Sequence, residues 1–470
     1  MKKKLPILLF VALGCMHYSC MEESVLAPEP DFFEEEVQEE ITDARVVHHN
    51  EILRVLNNFQ PTMKLAKSVS RGLEPEVVYN ADGNPSMYVF NFPQGGFIVI
   101  SAVKDLYPVL AYNTEGYFDI NAGIPGFDGW MKDVSTLTEN PSAINPDSIQ
   151  SCRRMWRMYE KASELRIPEG RDWKPGMIDE AEYQILQRIF ADSVSAWNSR
   201  NITVHYLDDI KKNYPDKYEY YNDLAHSSIW PEYEPVYQQF SVVVERTVQY
   251  SDYSRYLIET KWDQIGGFNQ TFGPRGTNLV NACTGCGPVA AGQIMFYHKW
   301  PSKYNWADMP LYYGTATTSN FLLDLALQAG AVFSNTGTAT DFFKFEDIFK
   351  NNGYTCKVEK SWKSNSETIL KNEIIGGRPV MMAIQNHGII LGGYTEVGYN
   401  TVWELWTFMD VRRYRDVVAD VIHYFNGHTF YINWGAGGKN DGNYTSLTSI
   451  YAEGQAYSVK EYIYNIKPNR

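Results

Sequence analysis

One stretch of this 470-residue chain gathers residue types that can act on a substrate: Asn281-Ala-Cys-Thr-Gly-Cys-Gly-Pro-Val-Ala-Ala-Gly-Gln-Ile-Met-Phe-Tyr-His-Lys-Trp-Pro301. Cys286 stands just before an apolar helical run whose first turn holds Pro288, where proline forfeits no hydrogen bond. A thiol at a helix N-terminus feels the positive end of the macrodipole, which lowers its pKa and favours the nucleophilic thiolate. Gly285 and Gly287 let a substrate backbone approach closely. Cys283-x-x-Cys286 also suggests a zinc site or a redox pair. The first needs a second ligand pair that neither Cys152 nor Cys356 supplies, and the second needs a βαβ context that is missing. The remaining alternative is an inert buried cysteine.

A cysteine nucleophile needs a base. Nine histidines are available, at 17, 48, 49, 205, 226, 298, 387, 423 and 428. His298 lies too far along the helix that Cys286 opens. His387 sits between two strand-like runs, where an imidazole at a strand edge could meet a thiol from a helix N-terminus. His428, in His-Thr-Phe-Tyr-Ile-Asn-Trp434, is the rival base.

The elements that must position these groups follow from periodicity. Residues 45–125 read as a small α+β unit: a helical start with Ile52, Val55 and Leu56 on one face, then Met87–Phe92, a Gln94-Gly-Gly96 turn and Phe97–Ser101 as strands. Residues 126–250 read as a helical connector, with Tyr214–Tyr237 as a long proline-containing link. From 251 to 470 one apolar helix near 288–300 precedes strand-like runs at Pro379–Ile384, Ile389–Tyr394, Val402–Phe408 and His428–Trp434. A long insert, 395–427, separates His387 from Trp434.

Composition narrows the class further. With 42 basic and 56 acidic residues the net charge is −14, which argues against nucleic acid as a partner. Ten of the acids and none of the bases lie in 21–43, so 21–44 reads as an acidic flexible tether. Before it, Lys2–Lys4 and the ten-residue apolar run Leu5–Gly14 form an export signal, too short to span a bilayer. Residues 1–20 resemble a bacterial lipoprotein signal with the lipid on Cys15, or on Cys20. The protein is therefore expected to be exported to the cell envelope, at the outer membrane or cell surface, and could leave it after processing. Four cysteines in the remaining chain make no disulfide scaffold.

Several motifs in order resemble the streptopain-like cysteine peptidases, a branch of the papain-like fold. They are Thr284-Gly-Cys286 running into Gln293-Ile-Met and Pro301, Thr260-Lys-Trp262-Asp-Gln264, His387-Gly-Ile-Ile-Leu-Gly-Gly-Tyr394, and Asn433-Trp-Gly-Ala-Gly-Gly438 with Asp441-Gly442. Upstream, Gly96–Ser101 through Tyr117–Asp119 resembles the family's inhibitory propeptide. The resemblance implies an α+β, papain-like two-lobed peptidase, helical part plus antiparallel sheet, behind a small α+β propeptide domain and the connector. It implies Cys286 as nucleophile, His387 as base, Gln264 as oxyanion donor, Trp434 as a shield for the histidine and Asn433 as its orienting amide. Protein or peptide substrates, the chain's own propeptide as inhibitor, a monomer, and neither cofactor nor metal are expected. Gly388 stands where alanine is usual, and Ala436 replaces a common tryptophan. The alternative is a surface lipoprotein that binds glycans or peptides on a catalytically degenerate papain-like scaffold.

Overall fold

Short apolar runs bounded by turn residues become an antiparallel meander of four strands, Glu76–Tyr79, Pro85–Asn91, Phe97–Ser101 and Val109–Asn113. The third strand is buried along its whole length, because helices cover both faces. Helix His49–Asn58 packs Ile52, Val55 and Leu56 on Phe90, Ile98 and Ile100. Helix Pro125–Glu139, termed the docking helix below, packs Phe127, Trp130, Val134 and Leu137 with Met87, Val89, Phe97 and Val99. The computed structural model describes residues 45–59, 65, 73–157, 159, 180–198, 202–227, 240–272, 282–408, 413–414, 420–445 and 459–470. The export signal with Cys15 and Cys20, and the acidic tether, lie outside the described residues.

The meander does not end at its own edge. Strand Val109–Asn113 pairs with Gly442–Thr445, matching Tyr112 to Asn443 and Ala111 to Tyr444. Beyond it run Asp420–Asn433, His387–Phe408, Val380–Ile384, Val459–Pro468 and Tyr354–Glu359, each antiparallel to its neighbour. Helices Cys286–His298, Ala316–Gln328, Lys344–Asn351 and Ser366–Ile375 share one core with this sheet. The class is α+β, a helical part against an antiparallel sheet, as expected.

Two boundaries differ from the sequence reading. The strand-like runs 389–394 and 402–408 are one strand, His387–Phe408, and it reaches well into the 395–427 insert. Its partner is Ser241–Tyr256, a strand that crosses the expected connector boundary at 250. The connector is therefore not helical throughout. Its Thr203–Tyr206 also pairs with Ser241–Tyr256. Within Tyr214–Tyr237, Pro215 opens helix Pro215–Ser227 instead of marking a plain link. Successive residues of a strand point to opposite faces, and both faces here are covered. Val242, Val244 and Phe408 meet Tyr183, Leu186 and Phe190 of helix Glu180–Asn198. Val243, Trp403 and Leu405 meet Ile210 and Tyr221 on the other side. Connector and insert thus fold together as one accessory module.

Candidate active site

Cys286 is the first residue of helix Cys286–His298, and every residue from Gly287 to Phe296 is buried. An apolar circumference forces the helix into the core, with Cys286 only partly covered at its N-terminal end. Gly285 caps it with φ 88°, a left-handed conformation that favours glycine. A Cβ there would also stand 3.0 Å from the Thr338 carbonyl. The structure brings His387 to this helix end. Strand Val380–Ile384 returns through a two-residue turn, Gln385-Asn386, both with positive φ, so His387 opens the next strand opposite Ile384. Gly388 follows, and its N–H donates to Cys286 Sγ at 3.2 Å. A Cβ on Gly388 would stand 3.3 Å from the Gly287 backbone, so the departure from alanine suits a close crossing of strand over helix.

His387 is 3% exposed, and its Nε2 lies 2.9 Å from the Trp434 carbonyl. A carbonyl can only accept, so Nε2 carries a proton and Nδ1 is left for the thiol. Burial by itself would push the Cys286 thiol up. The hydrogen bond and charge of His387, with the Gly388 and Gly287 N–H groups, outweigh it and bring the thiol below its ordinary range. Burial likewise opposes the His387 cation, but Cys286, the Trp434 carbonyl and Asp128 raise it above the ordinary imidazole value. Both directions favour a thiolate beside an imidazolium. The other described cysteines go the opposite way: burial raises Cys152, Cys283 and Cys356.

The remaining candidates fall into place around this pair. The Gln264 backbone is pinned by Asp263 Oδ1 on its N–H and by Thr284 N–H on its carbonyl, two residues before Cys286. Its half-buried side chain makes no hydrogen bond among the described residues. Trp434 is fully buried; its N–H donates to Asp441 Oδ1 at 2.9 Å and its indole to the Asn440 carbonyl at 3.0 Å. Asn433 requires a correction. Its amide donates to the Thr260 carbonyl at 2.8 Å and accepts from Gln293 and Gly435, so it does not orient His387, and the Trp434 carbonyl does so instead. His428 sits 3.5 Å from Glu367 and against Tyr394, with its own partners away from the thiol. Cys283 donates to the Asn335 carbonyl at 3.2 Å and is not disulfide-bonded. Among the described residues no cluster of His, Cys, Asp or Glu could hold a metal ion.

The docking helix reaches the same place. A Cβ on Gly126 would stand 3.0 Å from His387 Cβ and 3.2 Å from its Cδ2, and a Cβ on Gly129 would meet the Gln385 side chain. Phe127 makes an edge contact with Trp434 at 5.6 Å, and Trp130 with Tyr444 at 5.0 Å. At the strand edge, Asn113 donates to the Asp441 carbonyl at 2.7 Å, while Asn440 bonds the Asp119 backbone in both directions. Sequence reading missed Gly126, Asp128 and Gly129. Their signal is two glycines one turn apart inside a helix, a costly choice unless something packs on that face.

Residues 44–137 match the Spi protease inhibitor family, and residues 262–309 match the Peptidase C10 family. In this chain a segment similar to Spi inhibitors precedes a segment similar to C10 peptidases. Over 229 residues it is 23% identical to the thiol protease/hemagglutinin PrtT of Porphyromonas gingivalis, a match that takes in 39% of this chain and 22% of that protein. The chain thus matches about a fifth of the length of that curated relative. Its backbone is similar to a fragment of Prevotella intermedia prointerpain A, with a TM-score of 0.44 and 12% identity over 84% of this chain and 98% of that one. The active interpain A cysteine protease of the same organism gives a TM-score of 0.29 at 14% identity, over 45% and 94% of the two chains. The Spi-type match runs to 137 and so takes in most of the docking helix, beyond the 45–125 read from sequence.

Proposed function

We propose that this chain is a zymogen of a cysteine endopeptidase. The single observation that carries the reading is the geometry at Cys286, the first residue of a buried helix, whose Sγ takes the Gly388 N–H at 3.2 Å beside His387, itself held on the Trp434 carbonyl at 2.9 Å. The thiolate attacks a peptide carbonyl, a carbon–sulfur bond forms, and the carbonyl electron pair moves onto oxygen. The Gln264 amide and the Cys286 N–H donate to that oxyanion, and losing one such donor typically costs about 3–4 kcal/mol. His387, oriented by the Trp434 carbonyl, gives its proton to the leaving amine. It then draws a proton from the water that frees the acyl group. Trp434 keeps bulk water off the imidazole face.

In the intact chain the docking helix lies against His387, and the meander extends the catalytic sheet, which supports the inhibitory role of the Spi-type segment. The basic start and apolar run of residues 1–14 support export, with the lipid on Cys15. Metabolic labelling with a fatty acid, lost in Cys15→Ala and kept in Cys20→Ala, would establish that step.

The test of the peptidase reading is a peptide library incubated with the processed protein and with Cys286→Ala and His387→Ala. Cleavage is expected only in the unaltered protein. Full cleavage by Cys286→Ala would sink it, and binding without any hydrolysis would select the degenerate-scaffold alternative.

A further inference from the structure

Helix Cys286–His298 contains one residue that its apolar surroundings do not explain. Gln293 is 0% exposed, two turns into a helix that is otherwise apolar or glycine from Gly287 to Phe296. Burying a primary amide is costly unless its donors and acceptor are met. Gln293 meets them in an unusual way, by facing a second buried amide, Asn433. Gln293 Nε2 donates to Asn433 Oδ1 at 3.1 Å, and Asn433 Nδ2 lies 3.4 Å from Gln293 Oε1.

Backbone groups fix the orientation of both amides. The Thr260 carbonyl can only accept, so Asn433 must turn its Nδ2 towards it, at 2.8 Å. The Trp262 N–H can only donate, so Gln293 must offer Oε1, at 3.3 Å. The Gly435 N–H, at 3.0 Å, requires Asn433 Oδ1. Three segments therefore meet at one amide pair: the nucleophile helix, the Thr260–Gln264 segment, and the Asn433–Gly438 loop whose Trp434 carbonyl orients His387. The other side of Trp262 is held too, since its carbonyl accepts from Gly437 N–H at 3.1 Å. A Cβ on Gly292 would stand 3.4 Å from its indole.

We propose that Gln293 is a positioning residue for the oxyanion hole: it sets the Thr260–Gln264 segment against the nucleophile helix, so that the Gln264 amide and the Cys286 N–H converge on one point. Three hydrogen bonds define that register. One is Gln293 to Trp262, deep in the helix; the other two come from Thr284 beside the nucleophile, its N–H to the Gln264 carbonyl at 2.9 Å and its hydroxyl to the Asp263 carbonyl at 3.5 Å. Losing the first leaves the segment tied to the helix at Thr284 alone. The thiolate does not depend on this segment, because its support comes from His387, Gly388 and Gly287.

This inference rests on the peptidase reading, and the experiment separates the two. Two probes react with Cys286. A small alkylator needs only the thiolate. A peptide aldehyde adds reversibly to the thiol, and the oxygen of the resulting hemithioacetal needs the oxyanion donors. Each variant is processed by the same trace of unaltered protein and compared in that form. Gln293→Met, which keeps the bulk and removes the amide, is expected to alkylate at a rate within about twofold of the unaltered protein. Its aldehyde affinity is expected to fall about tenfold or more, in the direction of the 10²–10³ loss typical of deleting an oxyanion donor outright. In a Gln264→Ala background the same substitution should cost nothing further, because the two changes act through one donor. Gln293→Glu keeps an acceptor for Trp262 N–H and should lose less than Gln293→Met. It carries the test if Gln293→Met fails to fold.

Equal loss of alkylation and aldehyde affinity would reduce Gln293 to structural packing and overturn the proposal. Full additivity with Gln264→Ala, or as large a loss in Gln293→Glu, would do the same. An unaltered protein that takes up the alkylator but never the aldehyde would sink the peptidase reading itself, and this inference with it.

Discussion

Gly126 offers the sharpest handle on the proposed inhibition. The helix Pro125–Glu139 comes close enough to His387 that a Cβ at 126 would lie 3.0 Å from His387 Cβ, 3.2 Å from Cδ2 and 3.2 Å from the Ile384 carbonyl. Gly126→Val adds that carbon and two methyl groups. Overpacking of this kind typically costs about 1–3 kcal/mol. Borne only by the docked state, it would raise the undocked fraction about 5- to 150-fold, at about 1.4 kcal/mol per factor of ten. The assay is the initial rate at which a peptidyl epoxide, which must enter the cleft, labels Cys286 in unprocessed protein, followed by the half-time of self-cleavage. Lys132→Val is the control, because it places the same β-branched residue at an exposed position of the same helix. Gly126→Val is expected to label and process faster than unaltered protein by at least about fivefold, the lower end of that cost, while Lys132→Val does neither. Unchanged labelling in Gly126→Val would show that the helix does not hold the cleft shut, and would refute the reasoning.

Three further outcomes follow from the site and its surroundings. Removing the imidazole in His387→Ala leaves the burial that raises the Cys286 thiol and deletes the groups that lower it most, so the pH midpoint of alkylation should move upward; an unmoved midpoint would mean that His387 does not tune the thiol. Burial raises Asp441 to about 7 against the pull of the Trp434 N–H and Lys261. A carboxyl raised above its unfolded value of 3.8 favours the folded state at low pH, and that contribution, at most about 4 kcal/mol, is lost as pH rises towards about 7. Asp441→Asn should therefore flatten the fall in melting temperature between pH 4 and 7, and an identical slope in both proteins would contradict the assignment. In the accessory module, Trp403 is 2% exposed, stacked on His205 at 4.7 Å and edge-on to Tyr214 at 5.1 Å. Trp403→Ala should cost about 3–5 kcal/mol and open 203–256 to limited proteolysis. Cys286 alkylation should stay within about twofold, since the site draws on none of these contacts. Proportionate loss of both would show that the module and the peptidase core unfold as one.

The parts of the site that depend on local chemistry could be read from the chain alone. Cys286 stands out because a cysteine opens a helix with no polar face, and His387 because it begins an apolar strand run. Both are properties of a few adjacent residues. The parts that depend on distant pairing could not. The group that orients His387 is a backbone carbonyl, and carbonyls have no sequence signature. Asn433 misled because an amide beside Trp434 suggests a histidine partner, whereas its bonds run to Thr260 and Gln293, 173 and 140 residues away. Strand Ser241–Tyr256 escaped for a related reason. Its two covered faces are supplied by helices Glu180–Asn198 and Leu207–Asn213, and its partner lies in the 395–427 insert, so neither alternation nor local turn chemistry announces it.

In the zymogen proposed above, inhibition and catalysis would meet on the same short stretch of chain. Residues 440–444 close the loop that presents the Trp434 carbonyl to His387, and they also form the edge on which the Spi-type meander pairs. An exposed strand edge invites further pairing, and proteins blunt that risk by keeping such edges short. Gly442–Thr445 has only four residues, enough to seat Val109–Asn113 yet little to leave bare once the meander departs. Holding the meander is therefore shared between this edge and the docking helix, which carries the aromatic contacts to Trp434 and Tyr444. Each contact lands on a residue that supports the histidine. On that proposal, departure of the Spi-type segment would remove packing from the Cys286–His387 site as well as uncover it. What remains to hold the imidazole is the chain from His387 through the Trp434 carbonyl, with the Trp434 N–H on Asp441, all outside the Spi-type segment. That division explains why the orienting group is a backbone carbonyl fixed by its own loop. A side chain borrowed from the inhibitor would leave with it, and the base would lose its orientation at the moment it was needed.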